Sequence, residues 1–409
     1  MPGRLAIWLY GIKVAIVEED HRRLRLGYTA EALDSFPTGS PLLSLKLPLS
    51  SDRYPNGITR AFLDGLLPEG DPRRAIAEDF GIRADDTFGL AQALGRDCAG
   101  ALVIQPDEEP APPEATTRTA EPLNEEQLAT LVDNLRDVPL GADRRVRISL
   151  AGVQEKLLLT RMPDGRWGRP VGGTPTTHIL KPEIRTYPNT VENEAFCMRL
   201  AKHLGLRIAD VETTAIAGRK LIVVTRYDRQ IERSGAVRRL HQEDFCQATG
   251  TPPRSKYQED GGPSLRQIAQ ILQNVHPEGM SELLRAITLH VLVGNGDAHA
   301  KNVSLLHEQS GVLRLAPLYD VMSTLYYGDD RLAMYIDNVH RTNRVTVDRL
   351  VNEATSWGLP RARSSANVND LLDAVPAAIA QAQQETPGLP PAIPQLVMAQ
   401  LKGLSATKG

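Results

Sequence analysis

Apolar and polar residues alternate near the start of the chain and then recur with helical spacing. The pattern predicts strands over residues 5–10, 13–17 and 99–105, and helices over residues 58–67 and 72–80. A turn at Gly11 separates the first two strands, and Gly81 is placed to end the second helix. Residues 1–104 are therefore predicted to form an independent α/β unit.

The pattern changes abruptly between residues 105 and 122. This stretch holds five prolines and five acidic residues and almost no bulky apolar side chain. Because such a segment buries too little apolar surface to offset the entropy lost on ordering, we predict a linker or an exposed loop. A helix follows, since Asn124 and Gln127 have the spacing of a capping box and Leu128, Leu131 and Leu135 keep the helical period.

Residues 146–227 have the pattern of a β-rich region with one helix. Strands are predicted over 146–150, 156–161, 177–181, 211–216 and 221–227, and a helix over 189–204. Beyond about residue 240 helical spacing dominates, with Ser264 and Ser281 predicted as helix caps and a short β-like pair at 303–306 and 312–315. The proline-rich tail is expected to pack loosely before a last short helix.

Composition restricts the class of protein. The chain has 409 residues, of which 41% are hydrophobic and 24% charged, an ordinary globular composition with room for two or three domains. The net charge is -3, so any nucleic-acid contact must come from a local basic patch. The three cysteines form no CxxC pair, which argues against structural zinc and suggests a reducing compartment. Since no apolar run approaches about 18 residues, we expect a soluble, cytoplasmic protein with no membrane segment.

The strongest chemical signal is the segment GNGDAHAKN at residues 294–302. Asp297 and Asn302 stand five positions apart, and Asp320 follows Asn302 after 18 positions, beyond the β-like pair. Phosphoryl transfer needs a carboxylate that accepts the proton of the attacking hydroxyl, and an amide and a second carboxylate that hold Mg²⁺ against the phosphates. Taken singly, these residues suit a turn, a strand start and a cap. Their joint order and spacing favour a kinase-like catalytic loop.

Two further features fit a nucleotide-binding lobe. Ala151 and Gly152 would let backbone N–H groups approach phosphate oxygens, although one glycine is also typical of an ordinary hairpin loop. Lys181 ends a predicted strand and would place an ammonium at the α- and β-phosphates, although a lone lysine there is as often solvated. We predict Glu194 as its partner, because Glu192 has the position that completes a capping box at the helix start.

Two weaker features remain. His299 follows Asp297 by two positions, and with no second His or Cys at ligand spacing it is predicted to make local hydrogen bonds rather than to bind metal. The arginines at 144, 145 and 147 form a basic run, which is either a solvated face or a contact for a phosphate-bearing partner.

Together these motifs resemble the HipA family, the serine/threonine kinase toxins of bacterial HipBA toxin–antitoxin modules. The resemblance is carried, in family order, by ISLAGVQEK, THILKPE, TVENEAFCMRLAKHLGL, VVTRYDR, HQEDFCQATG, GNGDAHAKN and PLYDV. FLDGLLPEG extends it into the first 104 residues, whereas the last 50 residues match poorly. The resemblance implies an α+β, two-lobed protein-kinase-like fold, with a β-rich N-lobe and a helical C-lobe, preceded by a small α/β N-terminal subdomain.

The resemblance also implies roles for individual residues. The ATP-binding residues would be Ala151, Gly152, Val153, Gln154, Glu155 and Lys156 of the phosphate loop, Lys181, the adenine-contacting hinge of Thr225, Arg226 and Tyr227, and His299, Ala300, Lys301, Asn302, Tyr319 and Asp320. Asp297 would be the catalytic proton acceptor, and Asn302 and Asp320 would hold Mg²⁺. Ser149 would be autophosphorylated, and the added charge beside the phosphate loop would weaken ATP binding.

The expected organisation is a HipA-type N-terminal subdomain over 1–104, a Pro/acidic linker over 105–122, a kinase-like N-lobe over 123–228 and a helical C-lobe over 229–409. The expected activity is Mg-ATP-dependent phosphorylation of a protein serine or threonine in a translation component such as an aminoacyl-tRNA synthetase. The resemblance implies a HipB-like helix-turn-helix antitoxin as partner, with operator DNA bound through that antitoxin. Three alternatives stay open: a small-molecule kinase of the aminoglycoside type, a pseudokinase acting as corepressor with a DNA-binding antitoxin, and a purely structural role.

Overall fold

The computed structural model describes residues 3–112, 120–135, 150–152 and 154–406. Within these ranges no helix is both long and apolar enough to cross a membrane. The predicted strand over 146–150 falls almost wholly outside the described residues. Ser149, Val153 and the basic run at 144–147 also lie outside them.

The N-terminal unit is an antiparallel sheet packed against its helices, and it contains the three strands and two helices that the sequence predicted. Its elements are β1 (Gly3–Leu9), β2 (Ile12–Asp20), β3 (Arg23–Tyr28), α1 (Ala30–Ser35), α2 (Asn56–Leu66), α3 (Gly70–Phe80), α4 (Thr87–Leu94) and β4 (Leu102–Pro106). The sheet order is β3-β2-β1-β4. Successive residues of a strand face opposite sides, so Leu5 and Ile7 join the main core of this unit while Ala6 and Trp8 join a smaller cluster. Helix α3 ends at Gly81, whose φ of 65° is left-handed.

A second region contains a six-stranded sheet. Its elements are β5 (Ala120–Pro122), α5 (Glu125–Asp133), β6 (Leu157–Arg161), β7 (Trp167–Pro170), β8 (His178–Pro182), α6 (Thr190–His203), β9 (Val211–Ile216) and β10 (Arg219–Thr225). The sheet order is β5-β7-β6-β8-β10-β9. The capping box of Asn124 and Gln127 forms at the start of α5. Strands β4 and β5 occupy the two ends of the segment 105–122. Because β8 lies between β6 and β10, Lys181 sits inside the sheet.

The third region is mainly helical. Its elements are β11 (Arg229–Ile231), β12 (Val237–Arg239), β13 (His241–Asp244), α7 (Phe245–Thr249), α8 (Leu265–Val275), α9 (Gly279–Val293), β14 (Ser304–His307), β15 (Leu313–Leu315), β16 (Arg331–Ile336), β17 (Val339–Arg341), α10 (Val347–Ser356), α11 (Arg361–Gln384) and α12 (Ala392–Ala406). Residues of α6, α8, α9, α10, α11 and α12 share one large apolar core. The predicted β-like pair is β14 with β15, and β13 adds a third strand.

Two predictions about this region are wrong. Ser281 does not cap α9, because the helix begins at Gly279 and the hydroxyl of Ser281 is buried with no hydrogen-bond partner among the described residues. The tail does not pack loosely, because α11 and α12 follow one another and Ile393 and Val397 are fully buried in the large core. In both places burial of apolar side chains extends helical structure beyond the limits that the sequence pattern predicted.

Buried charges join the N-terminal unit to the rest of the chain. Asp97 lies 2.8 Å from Arg229, 3.4 Å from Arg239 and 3.5 Å from Arg226, and Asp228 lies 2.7 Å from Arg226. We call these five residues the Asp97 cluster. Burial alone would raise the pKa of Asp97, but the three guanidinium groups outweigh it and lower that pKa. The cluster therefore remains ionised and ties the segment before β4 to the segment after β10.

Candidate active site

Lys181 is the centre of the site. Strand β8 carries its side chain to the face that packs on α6, where Nζ lies 2.8 Å from Oε1 of Glu194 and 2.7 Å from Oδ1 of Asp320. Burial alone would lower the pKa of Lys181, but the two carboxylates outweigh it and raise that pKa above its usual range. Burial would raise the pKa of Asp320, and Lys181 reverses this and lowers it to about 2. The ammonium and the Asp320 carboxylate are therefore charged together.

The partner predicted for Lys181 is confirmed, but the reason given for it is wrong. Asn189 precedes α6 with a left-handed φ of 64° and makes no side-chain capping bond. Glu192 therefore has no capping box to complete, and its carboxylate accepts a hydrogen bond from Lys220 instead. Glu194 faces Lys181 because it lies two residues further along the helix, on the side that meets β8.

The predicted catalytic loop leaves α9 through a tight turn. Gly294 has a φ of 65°, and a Cβ there would lie 2.5 Å from Cβ of Leu325, so only glycine fits without displacement. The backbone of Asp297 is fixed on both sides, since its N–H donates to Oδ1 of Asn295 at 3.0 Å and its C=O accepts from Nδ2 of Asn302 at 2.9 Å. Asp297 and Asn302, five positions apart in sequence, are thus held as one unit.

The carboxylate of Asp297 is half exposed to the cleft. Its side chain is 47% exposed, and Oδ1 lies 3.8 Å from Nε2 of His299. Burial raises the pKa of Asp297, the hydrogen bond from Tyr257 opposes this, and Asp320 adds to it through its negative charge. The two aspartates therefore act on each other across the same cleft.

Asp320 adopts an unusual backbone conformation. Its φ is 59°, in the left-handed region that non-glycine residues seldom occupy. The preceding residue, Tyr319, is anchored because its hydroxyl donates to the carbonyl of Lys301 at 2.7 Å and lies 2.6 Å from Oγ of Ser304. Because Tyr319 is held next to the catalytic loop and β14, the carboxylate of the next residue, Asp320, points to Lys181.

The described part of the phosphate loop folds over Lys156. Nζ of Lys156 donates to the carbonyl of Ala151, and a Cβ on Gly152, whose φ is 122°, would lie 2.7 Å from that ammonium. Gln154 is half-buried and Glu155 is exposed. Burial, with the positive charge of Lys181, lowers the pKa of Lys156 to about 8. Two ammonium groups thus lie close enough to repel each other, which an anion between them would relieve.

The three residues of the predicted hinge make different contacts. The N–H of Thr225 donates to the carbonyl of Asp210 at 2.9 Å. The side chain of Arg226 belongs to the Asp97 cluster, and its N–H donates to the carbonyl of Thr177. The ring of Tyr227 lies 5.6 Å from the ring of Tyr319, and its hydroxyl donates to Gln242. Tyr227 and Tyr319 therefore form one aromatic pair, whereas the Arg226 side chain points into the Asp97 cluster.

Lys301 is bound to the N-terminal unit. Nζ lies 2.8 Å from Oδ2 of Asp244, 3.1 Å from the carbonyl of Gly65 and 3.8 Å from Oε1 of Glu69. The N–H of Glu69 also donates to the carbonyl of Gly152 at 3.2 Å. The segment FLDGLLPEG thus touches both the phosphate loop and the catalytic loop, and the buried ammonium of Lys301 is neutralised before any ligand binds.

Glu69 and Tyr257 contact the site and were given no chemical role by the sequence analysis. Glu69 lies in a segment that contributed to the family resemblance but received no chemical role. Tyr257 lies 40 residues before Asp297 in a stretch without a regular pattern, and its hydroxyl donates to the Asp297 carboxylate at 2.5 Å. Neither contact has a local sequence signal, because each depends on tertiary packing.

The residues present fit a nucleotide with a magnesium ion. Asn302 and Asp320 offer an amide and a carboxylate oxygen, the donor types that Mg²⁺ prefers, and the remaining ligands would come from phosphates and water. Lys156 and Lys181 would provide positive charge for the phosphates, and His299 and Ala300 belong to the catalytic loop between Asp297 and Asn302.

Comparison with known proteins identifies the family. Residues 5–105 match the HipA N-terminal domain and residues 148–379 match the HipA-like C-terminal domain. A putative kinase, Y4mE, of Sinorhizobium fredii is 37% identical over 407 residues, which cover 94% of this chain and 93% of that protein. The serine/threonine-protein kinase toxin HipA of Shewanella oneidensis is 32% identical over 363 residues, covering 84% and 81% of the two chains.

The fold matches a solved structure. The chain in the Shewanella oneidensis MR-1 complex of HipA, HipB and operator DNA superimposes with a TM-score of 0.82 and 27% sequence identity, covering 98% of this chain and 96% of that chain. The predicted α+β, kinase-like fold is thereby confirmed, and the names of the relatives support kinase activity for the group. On these grounds the chain belongs to the HipA family of toxin–antitoxin kinases.

Proposed function

We propose that this protein transfers a phosphoryl group from Mg·ATP to a serine or threonine hydroxyl of another protein. The observation that carries the proposal is the double ion pair of Lys181 with Glu194 and Asp320, at 2.8 and 2.7 Å. A kinase needs a strand lysine fixed by a helix glutamate and brought within reach of a metal-binding aspartate. Burying two carboxylates against one ammonium adds little to folding stability, so stability alone does not account for this arrangement.

Each residue then has a part in the reaction. Asp297 accepts the proton of the attacking hydroxyl, and the backbone bonds from Asn295 and Asn302 hold it in place. Lys156 and Lys181 neutralise phosphate oxygens, and Asn302 and Asp320 hold the magnesium ion. Bound magnesium would shield the charge of the phosphates. The adenine would lie near Thr225 and the ring of Tyr227, with Tyr319 behind that ring.

The finer parts of the proposal rest on the family and on charge. A translation component such as an aminoacyl-tRNA synthetase is the proposed substrate, and autophosphorylation is proposed at Ser149. A HipB-like antitoxin is the proposed partner, since the relative from Shewanella oneidensis is solved with HipB and operator DNA. The net charge of -3 suits DNA contact through such an antitoxin rather than by this chain alone. We place this activity in the cytoplasm and keep the domain limits 1–104, 105–122, 123–228 and 229–409 as part of the proposal.

Transfer of label from γ-labelled ATP in a cell lysate tests the reaction. We expect label on protein, and we expect Asp297→Asn to reduce the transfer rate by at least about 100-fold, because the general base is lost. Asp348→Asn is the matched control, since that carboxylate is 71% exposed and pairs with Arg361.

Other outcomes would identify the alternatives. Label on a small metabolite would indicate a small-molecule kinase. Absence of transfer would favour the corepressor or structural role, and undiminished transfer by Asp297→Asn would remove Asp297 from its role as base.

A further inference from the structure

Tyr257 makes a direct contact with the proposed base. Its hydroxyl donates to Oδ1 of Asp297 at 2.5 Å. Burial, together with the negative charge of Asp297, raises the pKa of the tyrosine above its usual range, so the phenol keeps the proton that it donates. Among the described residues, no other hydrogen bond to the Asp297 carboxylate is found. Asn295, His299 and Asn302 bond to the backbone of Asp297 instead.

The tyrosine is itself held in place on several sides. Its carbonyl accepts hydrogen bonds from the N–H groups of Asp260 and Gly262. Gly262 passes so close that a Cβ there would lie 2.6 Å from that carbonyl oxygen. The ring packs edge-on against His299, with centroids 5.2 Å apart. A fixed ring presents its hydroxyl in one direction, and the hydroxyl can therefore fix the carboxylate that it touches.

The residue before Tyr257 links this contact to the N-terminal unit. Nζ of Lys256 lies 3.6 Å from Oε2 of Glu69, and the carbonyl of Lys256 accepts from the N–H of Ala300 at 3.4 Å. Lys256 and Tyr257 therefore lie between two segments. One is the segment of Glu69, which touches the phosphate loop, and the other is the catalytic loop. These contacts place the backbone of Tyr257 next to the catalytic loop.

We propose that Tyr257 is a positioning residue that orients the Asp297 carboxylate for the acceptor hydroxyl. With Oδ1 occupied by the phenol, Oδ2 is the oxygen left to face the substrate, and the carboxylate loses its freedom to rotate. A misplacement of about 1 Å at a reacting group can reduce a rate about 100-fold. The inference rests on the proposed phosphoryl transfer.

Tyr257→Phe tests the proposal, because it removes one oxygen and keeps the ring that packs on His299. Label transfer from γ-labelled ATP to lysate protein should fall about 10- to 100-fold at saturating ATP. The ATP concentration for half-maximal rate and the Kd for Mg·ADP should stay unchanged. Tyr335→Phe is the control, since Tyr335 lies beside the same segment, with its N–H bonded to Gln258, and should keep the full rate.

A double-mutant cycle separates positioning from a general structural role. In the Asp297→Ala background, Tyr257→Phe should change the residual rate by less than about twofold, because a residue that acts through Asp297 has nothing left to orient. A further loss as large as in the wild type would overturn the proposal. So would weakened Mg·ADP binding by Tyr257→Phe, or a faster rate, which would mean that the phenol blocks the acceptor position.

The failure of the inference is distinct from the failure of the proposed function. If the wild-type protein transfers label, Asp297→Ala is impaired and Tyr257→Phe matches the wild type, the positioning role alone is refuted. If the wild-type protein transfers no label, the proposed kinase activity itself is refuted.

Discussion

Lys181 shows how a single buried charge is made tolerable. Its side chain is 9% exposed and that of Glu194 is 3% exposed, so both groups have lost nearly all their hydration. Removing charges from water costs several kcal/mol for each ion unless partners compensate. Two carboxylates around one ammonium do so, although burial still raises the pKa of Glu194 above its usual value.

Replacement of Lys181 should therefore affect both stability and ligand binding. We expect Lys181→Met to lower the free energy of unfolding by about 3–5 kcal/mol, because Glu194 is left buried and unpaired. Mg·ADP affinity should fall with it. Lys202→Met, at an ion pair with Asp210 whose lysine is 62% exposed, should cost about 0–1 kcal/mol. Urea unfolding and calorimetry measure both quantities, and equal losses for the two variants would contradict the argument.

At this scale the sequence predicted chemistry better than it predicted contacts. Lys181, Asp297, Asn302 and Asp320 were identified because phosphoryl transfer requires these groups and because their spacing fits a kinase-like layout. The structure brings Lys181 to Asp320 and Asp297 to Asn302. Tyr257 could not be found, since its position depends on contacts between distant segments. Sequence spacing indicates which residues are close along the chain, whereas this contact joins residues that only the tertiary fold brings together.

Some helix boundaries are set by bonds between neighbouring residues and others by tertiary packing, and the sequence predicted only the first kind. The capping box of Asn124 with Gln127 and the helix cap at Ser264 form as predicted, because each bond joins groups within four residues of each other. The start of α9 was misplaced at Ser281. Met280 is buried in the large core, so the helix gains from beginning before the serine rather than after it.

A pair of serine substitutions checks this difference. Ser264→Ala should lower the free energy of unfolding by about 1 kcal/mol, because Oγ accepts from the N–H of Gln267 at 3.3 Å and that bond is lost. Ser281→Ala should change it by no more than about 0.5 kcal/mol, since its hydroxyl has no partner among the described residues. Chemical denaturation of both variants gives the comparison, and a larger loss at residue 281 would restore Ser281 as a cap.

On the scale of the whole molecule, the N-terminal unit is docked through buried polar groups. His241 on β13 lies with Nε2 3.0 Å from the carbonyl of Leu43, and its ring is 4.7 Å from that of His307. Burial, with the nearby His307, lowers the pKa of His241 to about 3, although the charge of Asp228 acts in the opposite direction. Burial also lowers the pKa of His290 to about 4. Both imidazoles are neutral in the folded protein at pH 7.

Stability should consequently fall in mild acid. Below about pH 6.5 the unfolded chain binds protons on both histidines while the folded protein does not, so acid favours unfolding. Each histidine can contribute up to about 1.4 kcal/mol per pH unit as the pH falls from 6.5 towards its folded pKa. Thermal unfolding from pH 7 to 5 should show a falling Tm, with a shallower slope for His241→Gln. His21→Gln is the control variant, because that side chain is 93% exposed.

The Asp97 cluster bears on how such a protein can change over generations. Asp97 stands in the N-terminal unit, whereas Arg226, Arg229, Arg239 and Asp228 come from segments more than 100 residues later. A recombination event that replaced the first segment with one lacking this carboxylate would leave three buried guanidinium groups with too little negative charge. Exchange of either part between relatives therefore succeeds when the matching charges travel together. We therefore expect the two parts to be exchanged together, even though each has an apolar core of its own.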